Sequence, residues 1–179
     1  MASTIIARCP CGATHITCPA KSIVSVVCYC TDCQAAATAL AALPDGWRVM
    51  DADGGTPLAL FPKKHLQFHD YGGRLRAHYR TPNSPTRRLV CNQCNSQLCL
   101  DSTKGPWLSV SVKFCTAPKP MPNMRIMTRS RPTGQGPLPG DMRNFAKFPA
   151  RLMLPLVASW AKGGFRVVKL PEYPGLDLP

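Results

Sequence analysis

Over the first two thirds of the chain, apolar residues come in short bursts separated by turn residues. The runs Thr4 to Arg8, Ile23 to Cys28, Leu58 to Phe61, Arg74 to Arg80, Arg87 to Cys91 and Trp107 to Phe114 are β-rich and predict strands. Between the second and third lies TDCQAAATALAAL, Thr31 to Leu43, rich in strong helix formers. Thr31 or Asp32 can cap its start, and Pro44-Asp45-Gly46 stops it. The pattern predicts a mainly β protein with one short helix directly after a group of cysteines.

After Cys115 the pattern changes. Eleven of the nineteen prolines fall in the last 64 residues, and Ala117 to Gly140 carries four basic residues and no acidic one, as a connecting segment would. From Asp141 to Ala161 apolar residues return at roughly helical spacing (Met142, Phe145, Phe148, Leu152, Leu156, Trp160), broken by Pro149 and Pro155. An interrupted helix is expected there, then a short strand at Phe165 to Leu170. Residues 1-115 thus read as one β-rich domain. Residues 116-179 read as a Pro-rich basic linker and a partly helical extension, packed on that domain or on a second subunit of a homodimer.

Charge narrows the chemistry. The chain has 22 Lys and Arg against 9 Asp and Glu, a net charge of +13, and its only glutamate is Glu172, which excludes paired-glutamate catalysis. Acid–base work falls to eight aspartates, four histidines, tyrosines, or groups on a metal. A positive excess favours anionic partners. Aromatic residues make up only 7% of the chain, which disfavours a nucleic-acid partner. The apolar stretch Leu152 to Ala161 is too short to span a bilayer and contains Pro155, which disfavours a membrane one. The start MASTIIARCPCG lacks the features of a secretory signal, so the expectation is a soluble, cytoplasmic protein with reduced cysteines.

Seven of the ten cysteines form three tight groups: Cys9-Pro-Cys11-Gly12, Cys28-Tyr-Cys30-Thr-Asp-Cys33 and Cys91-Asn-Gln-Cys94. In Cys-x-x-Cys a turn can point two sulfurs inward, and in Cys-x-Cys an extended backbone puts both on one side. Zinc wants four such ligands in a tetrahedron. Two pairs close one site, and three cysteines leave a second site one ligand short. We assign Cys9, Cys11, Cys91 and Cys94 to the closed, structural site, where they would staple distant segments. Cys28, Cys30 and Cys33 form the open one. Cys33 sits in the first helical turn, whose dipoles favour thiolate. Disulfides, simple burial, or a fourth ligand from a distant His or Asp are the bland alternatives. Cys18, Cys99 and Cys115 lie in apolar strand-like contexts and read as core.

The groups CPCG, CYCTDC and CNQC, in this order, resemble the glutathione-dependent formaldehyde-activating enzyme (GFA) family over roughly residues 5 to 115. The segments VCYCTDCQAAATAL, DADGGTPLALFP and TRRLVCNQCNSQLCLD are most similar to a GFA-like subgroup with an added C-terminal portion. The resemblance implies an Mss4-like β-tent of two three- or four-stranded sheets, a structural zinc at Cys9, Cys11, Cys91 and Cys94, and a catalytic-type zinc at Cys28, Cys30 and Cys33. The family's namesake activity is carbon–sulfur bond formation and cleavage on S-hydroxymethylglutathione. Two departures stand out: Asn95 replaces the usual glycine after the second Cys-x-x-Cys pair, and Thr116 to Pro179 has no counterpart in short members.

A three-thiolate zinc with a vacant position suits a carbon–sulfur lyase acting on a small anionic or thiol-bearing molecule, glutathione-type or another carbonyl or hydroxyl compound. Asp32 is the nearest proton acceptor in sequence; its plain role is helix capping. Arg80 and Arg88 are candidates for holding a substrate carboxylate, with a solvated hairpin face as the ordinary alternative. Two further functions remain open. One is a noncatalytic zinc-stabilised interaction module, and the other is dehydration or cyclisation of a metabolite without glutathione.

Overall fold

Two sheets organise the described residues, 4–176, of this computed structural model. β1 (Ile5–Arg8) and β2 (Thr14–Cys18) make an antiparallel hairpin; β3 (Val24–Cys28) then leads into α1 (Thr31–Ala41). β4 (Thr56–Pro62), β5 (Gln67–Asp70), β6 (Leu75–His78), β7 (Thr86–Cys91), β8 (Ser96–Ser102) and β9 (Trp107–Ser111) follow. The later chain adds β10 (Met124–Ile126), β11 (Arg143–Asn144) and α2 (Ala150–Lys162). The small sheet has the order β1-β2-β5 and the large one β11-β10-β3-β4-β9-β8-β7-β6.

Alternation along β4 shows how the layers form. Ala59 and Phe61 face the small sheet and join Ala7, Ile16, Leu89 and Leu108 in one core. Leu58 and Leu60 face the other way and join Val26, Ile126, Leu152 and Leu156 in a second core, beneath α2. Complete burial of Phe61 stabilises the fold by about 2–3 kcal/mol. α2 contributes Leu152 and Leu156, one turn apart on its inner face, while Leu154 and Val157 stay exposed.

The large sheet has eight strands among the described residues rather than three or four: β3, β4, β9, β8, β7 and β6 already make six, and β10 and β11 extend it beyond β3 by parallel pairing. β8 was hidden from the sequence pattern: in SQLCLDS residues of both faces are buried, which erases the period-2 signal. Phe165 to Leu170 is not a strand. The chain beyond it is held by Arg87, which donates to the carbonyls of Leu170 and Pro171 and to Glu172. Among the described residues no helix is long and apolar enough to cross a membrane.

Candidate functional site

The β1–β2 turn gathers the first pair of thiols. Gly12 takes φ +78° behind Cys11, the Gly12 amide donates to the Cys9 carbonyl at 3.0 Å, and the Thr14 amide donates to Cys9 Sγ at 3.3 Å. The β7–β8 hairpin supplies Cys91 and Cys94, and its turn residue Asn95 has φ +48°. This is why glycine is usual there: the left-handed backbone tolerates glycine or asparagine. Asn95 Nδ2 also donates to the Pro44 carbonyl at 2.7 Å, tying the hairpin to the end of α1. The four sulfurs lie within 4.8 Å of one another, with Cys9–Cys11 at 3.4 Å and Cys11–Cys91 at 3.7 Å. Zinc–sulfur bonds of about 2.3 Å in a tetrahedron put sulfurs about 3.8 Å apart, so the set fits one zinc.

The second group sits where β3 runs into α1. Cys28 ends β3, flanked by Thr56 on β4 and Ile126 on β10. Cys30 caps α1 through its sulfur, which accepts from the Cys33 amide at 3.4 Å; the expected caps Thr31 and Asp32 lie inside the first turn instead. Between them Tyr29 is buried and its hydroxyl donates to Asp53 at 2.6 Å, while Gln34 Nε2 donates to the Tyr29 carbonyl at 2.5 Å. Gly55 lies against Tyr29 and Val27 so closely that a Cβ would sit 2.5 Å from Val27. The Cys-x-Cys segment is therefore clamped from both sides.

The three sulfurs of Cys28, Cys30 and Cys33 lie within 4.8 Å of one another. Hydrogen bonds from Cys28 and Cys33 push the Cys30 thiol down, and the same bonds push Cys28 and Cys33 up. Only one thiolate is comfortable at such spacing without a cation, and a divalent ion removes that conflict. The donor set fits zinc with three ligands.

Asp32, Arg80 and Arg88 come together, though in a different relation from the one expected. The Arg88 guanidinium is wholly buried and its Nη2 donates to both the carboxylate and the carbonyl (3.1 Å) of Asp32. Arg80 Nη1 lies 3.5 Å from the other carboxylate oxygen. Both arginines thus contact the Asp32 carboxylate. His15, His65, His69 and His78 are not among the metal-grouped residues.

Cys28, Cys30, Cys33 and Asp32 line a cleft of about 520 Å³ between the large sheet and α2. Its sheet side includes Leu58, Leu60 and Trp107, and its helix side Phe148, Leu152 and Met153. The role of α2 as a wall of this cleft had no signature in the sequence beyond helical periodicity.

No curated protein matches the chain. A crystal structure of a Rhodobacter sphaeroides protein resembles it at 14% identity, covering 78% of this chain and 98% of that one, with a TM-score of 0.42. The family model described as glutathione-dependent formaldehyde-activating enzyme matches residues 4–130, which include all seven grouped cysteines, and the chain belongs to that family.

Proposed function

We propose that this protein is a zinc-dependent enzyme that makes or breaks the carbon–sulfur bond of a small thiol–carbonyl adduct at Cys28, Cys30 and Cys33. The observation that carries this reading is the contrast between the two thiol groups: one gathers four sulfurs, enough for a full zinc shell, whereas the other gathers three that line a cleft. A zinc ion held by the three would supply a Lewis acid with one coordination position left for the reactant.

The chain's own part follows from the cleft. A hemithioacetal in it loses its hydroxyl proton to the Asp32 carboxylate, the carbon–oxygen double bond forms, and the carbon–sulfur electron pair leaves on sulfur. The acid then returns the proton to the released thiolate, giving the free thiol, so the reaction is redox-neutral and runs in either direction. Arg88 and Arg80 hold the carboxylate in place. The apolar walls limit water around the reacting atoms.

Turnover of S-hydroxymethyl and larger thiol adducts by wild type and Cys30→Ser tests this. Serine caps a helix at least as well as cysteine, so the variant keeps α1 and loses one soft ligand. Loss of turnover with a native circular dichroism spectrum is expected; full activity in Cys30→Ser contradicts the reading.

A further inference from the structure

The walls of the cleft carry information about what enters it. Among the described residues, Asp32 is the one ionisable side chain besides the three thiols that lines it, and the other side chains there with a polar group are Thr86, Ser109 and, through its indole N–H, Trp107. Asp32 already faces Arg88 and Arg80, neither of which lines the cleft. The cleft walls themselves therefore carry no cation for a substrate carboxylate, and a carboxylate buried among them without a partner is strongly disfavoured. Aliphatic side chains approach from both sides, Leu58 and Leu60 from β4 and Leu152 and Leu156 from α2, with Phe148 and Met153 at a more exposed edge.

Resting on the enzymatic reading above, we infer that the cleft selects an apolar thiol or carbonyl partner, aliphatic or aromatic, over a multiply charged thiol such as glutathione. The volume, about 520 Å³, accommodates a small organic molecule whose hydrocarbon portion lies between β4 and α2 while its reacting atom reaches the sulfurs. Met153, on the helix side and 40% exposed, is placed to set this preference without supporting the core.

Calorimetric titration of the zinc-loaded full chain with benzyl mercaptan and with glutathione tests the inference by binding rather than turnover. Benzyl mercaptan is expected to bind about tenfold tighter or more, as burial of one aromatic ring implies. Met153→Lys, and separately Phe148→Ser, should weaken benzyl mercaptan, and the lysine should narrow the ratio by giving glutathione a cation. Glutathione binding as tightly as benzyl mercaptan overturns the inference, as does a preference that both substitutions leave unchanged. Turnover separates the two readings. A protein that prefers benzyl mercaptan but cleaves no adduct leaves the cleft's selectivity standing and removes the enzyme. One that cleaves S-hydroxymethylglutathione and rejects apolar adducts does the reverse.

Discussion

Arg88, on β7, donates through Nη2 to the carboxylate of Asp32 in the first turn of α1, 56 positions away in sequence. Nε and Nη1 of the same buried guanidinium have no partner. Asp32 is thus the counter-charge of a cation that has no exposure to water. Asp32→Ala should lower stability by about 1–3 kcal/mol, below the range for a fully buried pair because the aspartate side chain is 41% exposed. The double variant Asp32→Ala/Arg88→Met should recover most of that in urea unfolding, since it removes the stranded charge. A double variant less stable than the single one contradicts this.

Asn95 provides a test of the four-cysteine turn. With φ +48° at this position, Asn95→Gly should keep the backbone and lose only the exposed hydrogen bond to the Pro44 carbonyl, and Asn95→Val should cost about 1–2 kcal/mol more than glycine by chemical denaturation. Equal stability of the valine variant would show that the turn does not need the left-handed residue.

Chelation should proceed in two stages. The four-sulfur group joins positions 80 apart in sequence, Cys11 and Cys91, so a metal held there would be coupled to the fold. The three-sulfur group lines a cleft and joins only β3 to α1. A chelator titration followed by circular dichroism should remove the first equivalent without unfolding and the second with it. Unfolding concurrent with the first equivalent would contradict the division of roles.

His15 makes stability pH-dependent. Burial, then the stacked His69 ring at 4.2 Å and the nearby Arg8 charge, push its imidazole below its ordinary value. The folded chain therefore prefers neutral His15, and stability is complete above about pH 6.5. As pH falls below that value the unfolded chain takes up the proton first, and stability is lost until the folded group titrates too. His78, pushed down chiefly by burial, acts in the same direction. His15→Phe keeps a ring at this position and should lose less melting temperature than wild type between pH 7.5 and 5.5; an equal loss would exclude His15.

Much of this was legible in the cysteines, because short-range spacing dictates which sulfurs can share an ion. Cys9, Cys11, Cys91 and Cys94 divide from Cys28, Cys30 and Cys33 by counting, and each set lies within 4.8 Å. Helix α1 was legible from composition, although its cap was not: a sulfur, Cys30 Sγ, does what hydroxyl and carboxylate residues usually do. β10 was not legible, since three residues, Met124–Ile126, form a strand only by pairing with β3. Nor was the Arg88–Asp32 contact, which depends on two elements meeting and leaves no local pattern. The interrupted helix expected over Asp141 to Ala161 is shorter and unbroken at its second proline: α2 starts after Pro149 and continues through Pro155.

The proposed chemistry requires that Cys28, Cys30 and Cys33 hold an ion whose shell the protein leaves incomplete. Native mass spectrometry of wild type and Cys30→Ser, purified without chelator, tests it most directly. About two zinc ions are expected per wild-type chain and about one in the folded variant. A single ion in wild type, or two retained in Cys30→Ser, would contradict it.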